Sequence, residues 1–293
     1  MSNVTALAPH TRVLIAGCGD VGTRLGLQLA AAGAQVWGLR RDPSRLPAAI
    51  APFAADLADG RGLAALPAGL DAVVYCAAAD GPGEAAYRAA YLDGPRRLLD
   101  ALEARGERVR RLLFTSSTAV YAIDDGREVD EDTPAEPVHP TARLLRAGEE
   151  ALREGPYPAT VIRFGGLYGP GRERLLRLLR SPAGASCVPG VYSNRIHVHD
   201  AARALAHLLA LPTPAPLYLG VDDTPAPLCE VLDWLAAQLG TAPPRRLAVD
   251  PAEDSRRGNK RCLNKRLRDA GFAFTFPSYR EGYADMLKSA PRV

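Results

Sequence analysis

Short apolar runs alternate with longer amphipathic segments along the first two thirds of the chain. The apolar runs occupy residues 12–17, 35–41, 71–79, 110–118 and 159–169, and most of them end in glycine or other small residues. Between them, residues 21–34, 84–106 and 139–150 carry apolar side chains at a spacing of three to four, which is typical of helices. Strands that alternate with helices at these lengths predict parallel βαβ units, and therefore a Rossmann-type, doubly wound α/β sheet.

The last third of the chain has a different pattern. A short strand, "NRIHV", precedes a helix over residues 199–211, and an irregular polar stretch covers residues 241–261. We therefore predict a Rossmann domain over residues 10–169, continued by about 191–220. Residues 170–190 and 221–293 are predicted to form a small C-terminal α/β lobe that holds the substrate.

Composition excludes several classes of protein. The chain has 293 residues and is 47% hydrophobic, so it can bury a full core. Its net charge is +3, with acidic and basic residues intermixed, so it shows no basic patch for nucleic acid. No apolar run approaches the ~20 residues of a membrane span, and the first residues lack the pattern of a secretory signal. These features predict a cytoplasmic protein that binds neither membrane nor nucleic acid. These features are compatible with a homodimer.

The cysteines and histidines indicate no metal site. Five cysteines are scattered without any CxxC pair, which predicts unpaired thiols in a reducing compartment. His197 and His199 are expected to alternate along a strand, and a two-histidine metal site there is not expected.

The segment "GCGDVG" follows the first predicted strand and opens the first helix. It places Gly17, Gly19 and Gly22 in a GxGxxG spacing, with Asp20 and Val21 at the start of the helix. The first glycine permits a tight turn, the second lets the backbone approach a pyrophosphate, and the third allows close packing of helix on strand. This context predicts a dinucleotide site, although a glycine-rich turn without a ligand would have the same sequence.

The end of the second strand indicates which dinucleotide is bound. An acidic residue there would bind the ribose 2′-hydroxyl of NAD, but this chain has Arg40 and Arg41. A guanidinium suits a 2′-phosphate, so we predict that NADP(H) is preferred over NAD(H). The alternative is a pair of solvated arginines.

Two further segments are candidate cofactor contacts. Asp56 and Leu57 follow the third strand, where the carboxylate can accept the adenine amino group and the leucine can lie against the ring; a plain turn is the alternative. Ala77 and Ala78 belong to the small residues that end the fourth strand, which would let a cofactor pass close to the backbone.

Together with "GCGDVG", the segments "ADL", "CAAA", "SSTAVY", "IRFGGLYGPGR" and "RIHVHDAARAL" resemble the extended short-chain dehydrogenases/reductases of the NAD(P)-dependent epimerase/dehydratase type. The ending "NKRLRDAGFAFTFPSYREGY" is similar to a small atypical branch of that family. The resemblance covers nearly the whole chain. It implies that Arg163, in the loop segment "IRFGGLYGPGR", lies near the nicotinamide, whereas a packed strand exit is the alternative.

The resemblance also implies a catalytic arrangement that this chain only partly carries. In the family, a Ser or Thr bonds the substrate oxygen, and a Tyr-x-x-x-Lys pair on the next helix transfers a proton and holds the nicotinamide ribose. Counting back from Tyr121 in "SSTAVY" places Ser117 at the Ser/Thr position, where a strand-end hydroxyl without catalytic role is the alternative. Tyr91 and Asp93 occupy a helical region in which the family often has an Asn.

The Tyr-x-x-x-Lys pair is absent. The family usually has a helix Glu four residues after the Lys, and the chain offers two. Matching Glu150 puts Ala142 at the Tyr position and Arg146 at the Lys position. Matching Glu149 puts Thr141 and Leu145 there instead. The sequence has lysines only at Lys260, Lys265 and Lys288.

Two substitutes for the missing groups remain. Arg146 is a candidate cation for the ribose hydroxyls. His139 is a candidate acid, since an imidazole pKa lies near 6.5, and a surface turn histidine is the alternative.

Two functions follow from this pattern. The first is an NADP(H)-dependent oxidoreductase or epimerase/dehydratase-like enzyme with a non-standard active site, acting on a small substrate that is sugar-like or anionic. The second is a catalytically inactive NADP(H)-binding sensor or scaffold.

Overall fold

The computed structural model describes residues 7–248 and 258–289. Residues 249–257 and 290–293 of the predicted C-terminal lobe lie outside the described residues. The chain divides into two compact units. The first unit comprises residues up to 120, 136–163 and 202–218, and the second comprises 121–135, 164–201 and 219 onward. The domain boundaries expected from the sequence stay a prediction.

Seven strands form one parallel sheet, which confirms the predicted Rossmann-type fold. These strands are β1 (Arg12–Ala16), β2 (Gln35–Arg40), β3 (Ala51–Ala54), β4 (Ala72–Tyr75), β5 (Arg111–Ser117), β7 (Ala159–Phe164) and β12 (Leu217–Gly220). Their order is β12-β7-β5-β4-β1-β2-β3, so β1 lies inside the sheet between β4 and β2. Its residues Val13 to Ala16 are fully buried, as expected for a strand covered on both faces.

The remaining strands are short and pair two by two within the second unit. They are β6 (Glu128–Val129) with β15 (Arg261–Cys262), β8 (Gly166–Tyr168) with β11 (Arg195–His197), β9 (Ser186–Cys187) with β14 (Arg245–Arg246), and β10 (Tyr192–Ser193) with β13 (Ala226–Pro227). The run over 159–169, expected as one strand, is therefore divided between β7 and β8. Since β11 ends at His197, the prediction that His199 lies in the same strand is wrong, and His199 belongs to the helix that follows.

Nine α-helices accompany the strands among the described residues. They are α1 (Asp20–Ala31), α2 (Glu84–Arg88), α3 (Gly94–Ala104), α4 (Pro140–Arg153), α5 (Arg174–Arg180), α6 (Val198–Ala210), α7 (Leu228–Leu239), α8 (Lys265–Asp269) and α9 (Tyr279–Ser289). A π-helical turn over Ala89–Asp93 joins α2 to α3, within the segment 84–106 that the sequence predicts as one helix. No helix in residues 7–248 and 258–289 is long and apolar enough to cross a membrane.

Local sequence explains the two helices that border the site. In α1, the buried Gly22, Leu25, Gly26 and Leu29 recur at helical spacing and place one face on the sheet. Pro140 opens α4 at its first position, where the missing N–H has no partner to lose. The buried face of α4 then contains Leu145, Glu149 and Leu152, so an acidic side chain occupies a position that the spacing assigns to the core.

The expectation that all five cysteines are unpaired is wrong. Cys187 of β9 and Cys229 of α7 form a disulfide, with their Cα atoms 5.4 Å apart. The two cysteines are 42 residues apart in sequence, and packing between the elements that carry them brings the thiols together. Cys18, Cys76 and Cys262 form no disulfide.

Candidate functional site

Most of the residues predicted to contact a cofactor lie at one edge of the sheet. The turn after β1, the arginines that end β2, the segment after β3, the alanines after β4 and Ser117 at the end of β5 all follow the carboxyl ends of parallel strands. Ligands of open α/β sheets bind at this edge. All of these residues belong to the first unit.

The glycine turn has the geometry of a dinucleotide cradle. Gly17 has a φ of +85°, and a Cβ there would lie 2.3 Å from the amide nitrogen of Ala77. A Cβ on Gly22 would lie 2.9 Å from Cγ2 of Ile15, so this glycine permits close packing of α1 on β1. By contrast, no described atom lies within 4 Å of a Cβ built on Gly19. The turn therefore leaves open space where a pyrophosphate would approach the backbone.

The start of α1 complements this space. Among the described residues, no side chain caps the helix at Gly19, and a helix N-terminus favours anions. Asp20 forms an ion pair with Arg24, one turn further on, at 2.8 Å.

The two arginines after β2 have different environments. Arg41 forms an exposed ion pair with Asp80, with Nη2 2.8 Å from Oδ1. The guanidinium of Arg40 is half-buried and forms neither a hydrogen bond nor an ion pair with the residues that the structure describes. Arg40 is therefore the better placed of the two to accept a new anionic partner.

Asp56 and Leu57 are partly engaged by the protein itself. The Asp56 carboxylate accepts a hydrogen bond from the amide of Ala58 at 2.8 Å and lies 3.5 Å from Nη2 of Arg61. Leu57 is 8% exposed and belongs to the main hydrophobic cluster of the first unit. An adenine contact by either residue stays a prediction.

The segment after β4 contacts the glycine turn on one side and lies near a tyrosine on the other. Ala77 limits the space at Gly17, as described above, and Ala78 is exposed. The backbone of Ala79 lies near the phenol of Tyr91, on the π-helical turn. Burial raises the pKa of Tyr91, and nearby Tyr87 adds to this effect, while the Ala79 backbone acts in the opposite direction.

The candidate catalytic hydroxyl and imidazole are both accessible. Ser117 is half-buried, and its Oγ accepts a hydrogen bond from the amide of Ala119 at 3.2 Å. His139 is the N-cap residue of α4, and its Nδ1 lies 2.7 Å from Oγ1 of Thr141. Catalysis by either residue stays a prediction.

A buried polar network lies behind Ser117, and sequence reasoning missed it. Glu149 is 1% exposed and accepts two hydrogen bonds from Arg163, at 2.9 and 2.6 Å, and one from the hydroxyl of Ser116 at 2.6 Å. Arg163, which the resemblance places near the nicotinamide, is itself 2% exposed. Arg146 lies at the rim of this network, 3.3 Å from Glu149 and 3.1 Å from Glu150. The signal in the sequence was the position of Glu149 on the apolar face of α4.

The burial of Glu149 also favours one of the two alignments of α4. Glu150 is half-exposed and pairs with Arg146, whereas Glu149 is part of the interior. If Glu149 is the family's helix glutamate, Thr141 takes the place of the Tyr and Leu145 that of the Lys.

Comparison with known proteins finds relatives that match most of the chain. The NAD dependent epimerase/dehydratase family matches residues 13–217. A 3-diazoavenalumate denitrifying reductase from a Streptomyces species is 33% identical over 92% of this chain and 98% of its own length.

Solved structures show the same fold. An epimerase/dehydratase-family structure from Methylobacillus flagellatus is 33% identical, with a TM-score of 0.79 over 96% of this chain and 98% of its own. The human epimerase family protein SDR39U1 with NADPH is 21% identical, with a TM-score of 0.78 over 95% and 100% of the two chains. MoeE5 with UDP-glucose and NAD is 23% identical, with a TM-score of 0.76 over 94% and 97%. At these lower identities, the last two show the fold alone.

Proposed function

Because the chain belongs to the NAD-dependent epimerase/dehydratase family, we propose that it is an NADP(H)-dependent oxidoreductase that reduces a small substrate. A reductase is favoured over an epimerase because the reductase relative is 33% identical over nearly the whole of both chains. A sugar-like substrate stays the alternative, since MoeE5, which shares the fold, was solved with UDP-glucose.

The observation that carries the cofactor assignment is the half-buried Arg40 beside an open glycine turn. Because the Arg40 guanidinium forms no close ion pair with a described residue and interacts with the Asp42 carboxylate only through space, it can bind a 2′-phosphate without first breaking an ion pair. NADP(H), when bound, would supply or accept a hydride. The residues that would hold it are Gly17, Gly19, Asp20, Val21 and Gly22 at the pyrophosphate, Arg40 and Arg41 at the 2′-phosphate, Asp56 and Leu57 at the adenine, and Ala77 and Ala78 along its path.

Other residues would act on the substrate or on its surroundings. Ser117 would donate a hydrogen bond to the reacting atom of the substrate, and His139 is the second candidate group. Arg163 would act through Glu149, since its guanidinium is directed to that carboxylate. In this proposal Arg146 and Arg163 are positioning residues, which act on Ser117 through the buried network around Glu149.

The absence of Tyr-x-x-x-Lys favours a second candidate function. With Thr141 and Leu145 at the two positions, α4 offers neither a phenol nor an ammonium group. A protein that binds NADP(H) without turnover, as a sensor or scaffold, would need only the glycine turn and Arg40.

Titration with NADPH and NADH, followed by nicotinamide fluorescence, tests the cofactor assignment. We expect NADPH to bind more tightly, and Arg40→Asp to weaken NADPH binding by about 1–3 kcal/mol while sparing NADH, because a charge-assisted contact to the 2′-phosphate is lost. Arg110→Asp makes the same charge change just before β5, at the opposite edge of the sheet, and should leave both affinities unchanged. Equal or tighter NADH binding by the unaltered protein would overturn the assignment.

A further inference from the structure

The turn after β1 lies in a frame formed by its two neighbouring strands. On one side, the amides of Gly17 and Cys18 donate hydrogen bonds to the carbonyl of Leu39 in β2, at 3.0 and 2.9 Å. On the other side, a Cβ on Gly17 would lie 2.3 Å from the amide nitrogen of Ala77, which follows β4. Since β1 lies between β4 and β2, a contact between the segments that follow those two strands has to cross the carboxyl end of β1.

One ion pair makes this crossing. Arg41 directly follows β2, and Asp80 lies five residues after the end of β4. Nη2 of Arg41 is 2.8 Å from Oδ1 of Asp80. Adjacent strands are about 4.8 Å apart, so the two segments are separated by roughly 10 Å, the distance across two strand spacings. The pair therefore joins the two sides of the frame across the glycine turn.

The ion pair does not fill the space that it borders. No described atom lies within 4 Å of a Cβ built on Gly19, so neither Arg41 nor Asp80 occupies the place where a pyrophosphate would approach the backbone. Arg41 uses Nη2 for Asp80, and its guanidinium has no other acceptor in residues 7–248 and 258–289. Nε and Nη1 of Arg41 are therefore available to a phosphate while the ion pair is intact.

The segment that carries Asp80 has room to move. The next three residues are Gly81, Pro82 and Gly83, and no described atom lies within 4 Å of a Cβ built on either glycine. Gly83 has a φ of +102°, a conformation that favours glycine. The side chains of Arg41 and Asp80 are 60% and 65% exposed, and an exposed ion pair opens and closes at little cost.

We propose that the Arg41–Asp80 pair is a strap that closes over the pyrophosphate of the bound dinucleotide and slows its release. Asp80 is then a positioning residue, which holds the guanidinium of Arg41 across the turn after β1. The strap acts on the part that NADPH and NADH share, so it retains both, whereas Arg40 distinguishes them through the 2′-phosphate. This role rests on the proposed function, because it requires a dinucleotide at the glycine turn.

Release kinetics test the strap without any substrate. Protein loaded with NADPH or NADH is mixed rapidly with an excess of the corresponding oxidised nucleotide, and the loss of nicotinamide fluorescence gives the dissociation rate. Asp80→Asn should speed the release of both nucleotides by about two- to fivefold, the range expected for the loss of an exposed ion pair. Asp71→Asn is the matched control, since Asp71 precedes β4 at the opposite edge of the sheet and pairs with Arg110 at 2.6 Å. It should leave both rates unchanged.

A double-mutant cycle with NADH, which carries no 2′-phosphate, separates the pair from its members. If the two side chains act together, Arg41→Gln/Asp80→Asn should release NADH no faster than either single variant. Additive effects would refute the strap.

The remaining outcomes separate the strap from the proposed function. Tighter binding of NADPH alone by Asp80→Asn would overturn the strap, since Asp80 would then compete with the 2′-phosphate for Arg41. Unchanged release rates in a protein that binds NADPH would overturn the strap and leave the proposed function standing. An unaltered protein that binds neither nucleotide would overturn both.

Discussion

Two adjacent glutamates of α4 differ in almost every property that decides the effect of a substitution. Glu149 is buried and satisfied by Arg163 and Ser116, while Glu150 is half-exposed and shares Arg146 with its neighbour. A buried ion pair adds little net stability compared with apolar side chains, but removing one member leaves the other charge without compensation. An exposed pair on a helix contributes less than about 1 kcal/mol.

Glu149→Gln should therefore lower the free energy of unfolding by about 3–5 kcal/mol, because the guanidinium of Arg163 would remain buried beside a neutral amide. Glu150→Gln, the matched change one residue away, should cost less than about 1 kcal/mol. Urea unfolding followed by circular dichroism measures both. Similar values for the two variants would show that the Glu149–Arg163 pair is not buried as described.

At the level of elements, the contact between α4 and the π-helical turn allows no side chain at residue 148. In Gly148→Ala the new Cβ would meet the carbonyl oxygen of Tyr91 at 1.8 Å, so one of the two backbones would have to shift. Overpacking should lower the free energy of unfolding by about 1–3 kcal/mol, in spite of the better helix propensity of alanine.

Gly26→Ala, in the middle of α1, is the matched control. There the new Cβ meets Cδ1 of Ile50 at 2.6 Å, and this atom is the mobile end of a side chain. We expect a clearly smaller loss of stability, measured as the shift of the thermal midpoint. If Gly26→Ala proved the more damaging change, the close approach of α4 to Tyr91 would be refuted.

These elements also show what the sequence could and could not predict. Periodicity predicted the sheet, α1 and α4 because burial of one face repeats along each element. A π-helical turn adds a single residue to a helical turn, which leaves the apolar spacing of residues 84–106 almost unchanged. The choice between Glu149 and Glu150 depends on Arg163, whose position relative to α4 only tertiary structure reveals.

At the scale of the whole molecule, the disulfide of the second unit is the feature most readily tested. Thiol titration of the unfolded protein, prepared without reductant, should find three thiols instead of five. Reduction should lower the free energy of unfolding of that unit by about 2–4 kcal/mol, because a loop of 42 residues is released in the unfolded chain. The double variant Cys187→Ser/Cys229→Ser should no longer respond to reductant. Five thiols in the unreduced protein would contradict the pairing.

The strand order has a consequence for how the chain is made. β1 pairs with β2 on one side and with β4 on the other, with Val13 opposite Ala72, so β4 can join β1 only after it has been synthesised. From β4 onward, each newly synthesised strand extends the same edge: β5, then β7, and finally β12. Until β12 is made, the edge that the next strand will cover is therefore exposed, which invites aggregation. A fragment that ends before Leu217 would retain the whole glycine turn but would lack β12, so the edge of β7 would be exposed. We expect such a fragment to self-associate.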